Sequence, residues 1–235
     1  MGSDNPETLI AVCCYAGDKS LVERALPVHV AHGCPVVILS PLDSQVKIPP
    51  HICRHAGRRA YIGAESWIRQ REHLRLLLEF PHKYFLINDA DSFCVSPKIP
   101  ERLYSESENT LWSNEVIEPR PHSSPYPKIA CQPPYFLSRE SLVKIIQAYR
   151  KVPVHPITPY IDYAMLAWAC EAGLKHRAFS ELETRSDYVF HPVGPVEYHC
   201  WQRLDYRIRY NGCVFMHPIK TEEQFKMCRS SYEQR

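Results

Sequence analysis

Glycine is scarce in this chain: 8 residues in 235, against 21 prolines. That balance argues against flexible linkers and for long, stiff, ordered loops. No charge of one sign dominates. Lys and Arg number 28 and Asp and Glu 26, a formal net charge of +2. So even a balance gives no electrostatic footprint for nucleic acid or an anionic membrane, and only the 12 histidines, in acid, would alter it. No apolar stretch approaches the ~20 residues that cross a bilayer. Met-Gly-Ser-Asp-Asn-Pro-Glu at the start has neither a basic region nor an apolar core, so no secretory leader is expected. No CxxC spacing occurs among the 10 cysteines, at 13, 14, 34, 53, 94, 131, 170, 200, 213 and 228. Several fall inside apolar runs, which predicts buried free thiols in a reducing compartment over a disulfide framework or a zinc site. A soluble cytoplasmic protein with no transmembrane segment is expected.

What is present is ordinary globular composition, 45% hydrophobic and 23% charged, in a chain long enough to bury a sizeable core. With neither internal repeat nor linker, residues 1–235 read as a single α/β domain. Leu9–Cys14 is a continuous apolar run of strand length, as in a sheet covered on both faces. Asp18 opens a helix running to about His32, closed by Gly33 and kinked or shortened by Pro27. Val36–Leu39 is the next buried strand, so strand, helix and strand form a βαβ unit of a parallel sheet. Ala60–Ile62 reads as a short strand. Glu65 to Phe80 reads as a helix with Trp67, Leu74, Leu77 and Leu78 on one face, and Lys83–Asn88 as a strand. Farther on, Thr110–Ile117 reads as a strand and Glu118–Pro134 as a loop with six prolines. Helices are expected over Arg139–Arg150, capped by Ser138, and over Tyr160–Ala172, stopped at Gly173. Gly212–Met216 reads as a late strand.

The chemistry concentrates at Asp89-Ala90-Asp91. A strand of large apolar residues delivers two carboxylates at its carboxyl end, where open α/β sheets place ligands. Two such acids both stay ionised cheaply only beside a cation. Hard oxygen ligands suit Mg²⁺ or Mn²⁺ and, through the metal, a diphosphate; the competing reading is a strand-end turn with two solvated Asp residues. A calcium-binding helix–loop–helix site starting at Asp89 would need Gly and Glu where the chain has Cys94 and Pro100. A haloacid-dehalogenase-type phosphatase would want Thr or Val where Phe93 stands. A polymerase-β-like nucleotidyltransferase would need a Gly-Ser helix start upstream, and none is visible.

A βαβ start followed by an apolar strand ending in Asn88-Asp89-Ala90-Asp91-Ser92 resembles a nucleotide-sugar glycosyltransferase of the GT-A type. Three further segments fall in that family's order. Pro134–Glu140 resembles the acceptor-side segment before a helix, with Pro133-Pro134 where the family often has Gly. Tyr160–Leu166 resembles the helix that opens with a catalytic acid, although Ile161 stands where the family often has a second acid. Phe215–Lys220 resembles the segment whose His completes the metal site. The resemblance spans about residues 9–220, the nucleotide-binding half about 9–95 and the acceptor-side half about 96–220. It is similar to the compact transferase domains encoded by large algal DNA viruses.

The resemblance implies a single Rossmann-like GT-A domain, with a mixed, mostly parallel sheet flanked by helices. It implies transfer of a sugar from a nucleoside-diphosphate sugar, UDP-linked by family habit, to a hydroxyl of a glycan acceptor. Asp91 would bind Mn²⁺ or Mg²⁺ directly, Asp89 would hold it through water or contact the ribose, and His217 would be the third ligand. His191 and His199 compete for that last role. Asp162 would be the base of an inverting reaction; a capping Asp in a helix's first turn is the plainer alternative. Cys14, Tyr15, Ala16 and Gly17 would lie under the nucleotide, or form an ordinary strand-to-helix turn. Arg71, on the stripe expected to be buried, would reach the diphosphate or else snorkel or pair internally. Trp201 and Tyr198–Tyr210 would offer an acceptor platform or core. A metal-dependent phosphohydrolase or nucleotidyltransferase, and a non-catalytic sugar-nucleotide-binding module, remain alternatives at this level.

Overall fold

Six consecutive buried side chains make Thr8–Cys13 a strand (β1), apolar on both faces and so needing cover on both sides. The computed structural model describes residues 7–14, 19–60, 64–94, 98–116, 130–152, 161–182, 215–216, 222–223 and 225–226. After β1 come helix α1 (Lys19–Val30), β2 (Val36–Ser40), β3 (Ile52–His55), α2 (Ala64–Leu77) and β4 (Tyr84–Asp89). There follow β5 (Phe93–Cys94), α3 (Glu101–Ser105), β6 (Thr110–Val116), β7 (Ala130–Ser138), α4 (Arg139–Ala148), α5 (Ile161–Glu171), β8 (Lys175–Ala178), a 3₁₀ turn (Phe179–Leu182) and β9 (Phe215–Met216).

Seven strands form one sheet in the order β3-β2-β1-β4-β7-β6-β8, and β5 pairs with β9 in a separate ribbon. Pairs β1–β2, β2–β3, β1–β4 and β6–β8 are parallel, and β7 runs antiparallel to both β4 and β6. The fold is therefore the expected mixed, mostly parallel α/β sheet flanked by helices. Alternation along the strands sorts the core into two layers. Leu9, Ala11, Cys13, Phe85, Ile87, Tyr135 and Leu137 pack with Trp67, Leu74, Leu142 and Trp168 of α2, α4 and α5. Ile10, Val12, Leu86, Trp112 and Phe136 pack with Val22 and Leu26 of α1 and Leu103 of α3.

Helix boundaries follow their local chemistry. Ser138 caps α4 by accepting from the Ser141 N–H. Gly33 and Gly173 take positive φ just past α1 and α5. Pro27 stays inside α1, which ends three residues later. Two expectations are corrected. The third strand of the first half lies at Ile52–His55, and Ala60 is not in a strand; an edge strand with alternating half-exposed residues lacks the buried apolar run used to find the others. The proline loop does not extend to Pro134, because β7 begins at Ala130. Pro133 and Pro134 occupy a register shift opposite Ser113/Asn114 and lie beyond the last β4–β7 pair, Ile87 with Tyr135. No ladder N–H is needed there, which is where a sheet tolerates proline. Seven described cysteines are free, and no helix among the described residues is long and apolar enough to cross a membrane.

Candidate functional site

The chain winds outward from β1 through β2 to β3, then returns to the other flank of β1 as β4. The strand order thus reverses between β1 and β4, and the crevice outside their carboxyl ends is where such sheets bind ligands. Asp89 is the last residue of β4, paired with Cys13, the last of β1. The β4–β7 ladder has already ended two residues earlier, at Ile87 and Tyr135. The strand therefore parts from one neighbour as it delivers its carboxylates. A turn follows, in which the Ser92 N–H and Oγ both donate to the Asp89 carbonyl, each at 3.1 Å. Ala90 is buried against the α1 layer, while Asp89 and Asp91 on either side of it are half-buried.

Asp89 continues the alternation of Phe85 and Ile87, which puts it on the sheet face covered by α2, α4 and α5. The Cys13 thiol registers the local charges: burial pushes its pKa up, the Asp89 carboxylate adds to this, and the Arg69 guanidinium partly offsets it. Arg69 is thus close enough to the end of β1 for its charge to act on Cys13. It is only 1% exposed, and its guanidinium donates to the Ala60 carbonyl in the loop before α2. Gly57 in that loop has φ +68°, and a Cβ there would lie 2.6 Å from the Arg69 Cα. The loop is folded tightly onto the helix where Arg69 emerges.

Asp162, in the first turn of α5, is brought to this same face. Its carbonyl accepts from the Cys131 thiol at 3.7 Å, and its Oδ1 accepts from the Tyr135 hydroxyl at 3.4 Å. Tyr135 faces Ile87 across the ladder, and Asp89 is one alternation farther along β4. Asp89 thus ends a strand on this face and Asp162 is tied to the same face through Tyr135, from segments more than seventy residues apart in sequence.

The other sequence candidates divide. Cys14 is wholly buried with its N–H donated to the Leu39 carbonyl. Tyr15, Ala16, Gly17, His217, His191, His199 and Trp201, with the rest of Tyr198–Tyr210, lie outside the described residues. The buried charge expected at Arg71 is corrected to Arg69. The buried stripe of α2 runs through Ser66, Arg69, Gln70, His73, Leu74 and Leu77, a phase that the polar upper half of the helix conceals. Arg71 is half-buried, with its guanidinium 4.0 Å from the centre of the Tyr149 ring, so a cation–π contact supplies a partner within the protein. Arg69 was thus missed, although Trp67 and Leu74 lie only a turn or so from it.

Two oxygen-rich side chains at a strand end fit a hard divalent cation by donor chemistry. Among the described residues no group of three or more His, Cys, Asp or Glu side chains forms a metal cluster, and the third ligand expected, His217, is not described.

Compared by sequence, the chain matches no family model and no curated protein. By structure it is similar to a glycosyltransferase involved in the glycosylation of the major capsid of PBCV-1, at 11% identity over 96% of this chain and 100% of that one, with a TM-score of 0.49. It is also similar to 4-diphosphocytidyl-2C-methyl-D-erythritol synthase, at 13% identity over 73% of this chain and 88% of that one, with a TM-score of 0.41.

Proposed function

We propose that the protein is a metal-dependent glycosyltransferase that moves a sugar from a nucleoside-diphosphate sugar, with UDP as the nucleotide, to a hydroxyl of a glycan acceptor. The observation that carries this reading is the place of Asp89 and Asp91 at the carboxyl end of β4, beside the strand-order reversal between β1 and β4, with Asp162 tied to the neighbouring strand β7 through the Tyr135 hydroxyl. Asp91 would hold Mn²⁺ or Mg²⁺ directly, Asp89 would hold it through water or bind the ribose, and His217 would be the third ligand. The bound cation supplies Lewis acidity that stabilises charge developing on the departing diphosphate. Residues 14–17 underlie the nucleotide, and Ala90 sets the two acids on either side of a buried anchor.

Asp162 acts on the acceptor. As the acceptor oxygen bonds to the anomeric carbon and the nucleoside diphosphate leaves, the carboxylate takes the hydroxyl proton, and configuration inverts. Arg69 adds fixed positive charge at the strand ends where the diphosphate lies. Arg71, held on Tyr149, gives a second cation on the same helix.

A panel of nucleotide sugars with Mn²⁺, each with and without oligosaccharide acceptors, tests the reading through nucleotide release. Acceptor-dependent release, with NMR showing inverted anomeric configuration in the product, is expected. Equal release with and without acceptor would make the protein a phosphohydrolase. No release, with retained nucleotide binding, would make it a binding module.

A further inference from the structure

The Tyr135 hydroxyl is buried in the core yet lies between two acceptors. It is 2.9 Å from the Cys131 carbonyl and 3.4 Å from Asp162 Oδ1, and the residue is 2% exposed. A phenol has one hydrogen to donate. Tyr135 also sits on the antiparallel strand directly opposite Ile87 of β4, so its ring is fixed by the sheet that carries Asp89. A second tie, from the Cys131 thiol to the Asp162 carbonyl, pins the first turn of α5 to the same strand. The side chain and the main chain of Asp162 are thus both held by β7.

We infer that Tyr135 is a positioning residue for Asp162, aiming its carboxylate at the acceptor and responding to its charge. The inference rests on the proposed role of Asp162 as base. While Asp162 is ionised, the hydroxyl hydrogen turns toward Oδ1, because a hydrogen bond to a charged acceptor is the stronger one. When Asp162 has taken the acceptor proton, the hydrogen returns to the Cys131 carbonyl. The step is balanced: one proton passes from acceptor hydroxyl to Asp162, and the Tyr135 hydrogen changes partner without leaving its oxygen. Sequence alone does not single out Tyr135 within the segment that resembles the family's acceptor-side segment before a helix.

A double-mutant cycle on the nucleotide sugar turned over fastest with Mn²⁺ and acceptor tests this. Tyr135→Phe keeps the ring. It is expected to lower kcat for transfer about 5-fold or more while leaving the donor KM unchanged, a loss confined to the transition state. In Asp162→Asn, adding Tyr135→Phe is expected to cost nothing further. Additive losses in the double variant, or an unchanged kcat in Tyr135→Phe, would overturn the role of Tyr135 and leave Asp162 as base. Normal transfer by Asp162→Asn would overturn both. Should Tyr135→Phe fold poorly, 3-fluorotyrosine at position 135 retains shape and hydroxyl while changing its acidity. A change in kcat at constant KM then supports the inference, and none overturns it.

Discussion

At the scale of single residues, the site is a problem in charge. Asp89 and Asp91 lie one residue apart, half-buried, and each raises the cost of ionising the other. Removing the charge at position 91 therefore relieves repulsion in the metal-free protein while removing a proposed ligand. Asp162 lies on another element, where its Oδ1 accepts from the Tyr135 hydroxyl and its carbonyl accepts from the Cys131 thiol. Asp162→Asn keeps the size and most of those contacts but accepts no proton at neutral pH. Transfer is expected to fall about 10²-fold or more, the scale of losing a general base. Donor affinity, measured by calorimetry with Mn²⁺, should stay the same. A collapse of donor affinity would instead make Asp162 a donor ligand or a helix cap.

At the scale of elements, two glycines with the same φ are expected to differ in their tolerance of alanine. Gly57 and Gly173 both have φ +68°, but a Cβ at 57 meets the backbone of α2 at 2.6 Å, whereas one at 173 meets nothing within 4 Å. Gly173→Ala should cost about 1–2 kcal/mol for the left-handed conformation alone. Gly57→Ala should lose a further 1–3 kcal/mol or so from overpacking. It should also disturb the loop over Arg69, lowering donor affinity. Urea unfolding of the two variants measures this; equal losses would mean the loop yields freely. These elements also show how far sequence carries. The buried strands β1, β2 and β4 were legible because both their faces are apolar, and α4 was legible from its Ser138 cap. The edge strands β3 and β8 were not, because Ile52-Cys53-Arg54-His55 and Lys175-His176-Arg177-Ala178 are half exposed and carry no apolar run. β7 was hidden by Pro133 and Pro134, whose place in a register shift is decided by the neighbouring strand. The strand-end position of Asp89 could be read from the apolar run before it, whereas Asp162 is singled out through the family resemblance. Arg69 and Tyr135 could not be read, because helix phase and cross-strand register decide their roles.

At the scale of the whole molecule, three buried histidines set the response to acid. Burial lowers the pKa of His29 to about 3, of His32 to about 4 and of His73 to about 3; the charge of Arg69 lowers His73 further, and the Cys94 carbonyl partly restores His32. Unfolded, each would titrate near its ordinary value of about 6.5. Above that value neither state binds the proton, so these groups leave stability unchanged. Below it the unfolded chain takes up protons that the folded one refuses, and stability falls with decreasing pH until the folded pKa values are reached. Each histidine contributes a slope of about 1.4 kcal/mol per pH unit, so the three together approach 4 kcal/mol per unit. Over the roughly 2.5 units down to pH 4 this amounts to about 10 kcal/mol, comparable to a typical total of about 5–15 kcal/mol, so a steep loss of stability is expected as pH falls to about 4. Urea titrations stepped from pH 7 to pH 4 should show it; a flat profile would mean these side chains are hydrated. The same molecule, at neutral pH, is proposed to bind a nucleoside diphosphate only through a metal held by its two strand-end acids. Calorimetry of UDP binding with Mn²⁺, with excess EDTA, and with Mn²⁺ to Asp91→Asn tests that claim most directly. Binding by the wild-type protein with Mn²⁺, lost both with EDTA and in a fully folded Asp91→Asn variant, is the result predicted. Equal affinity in all three would contradict it.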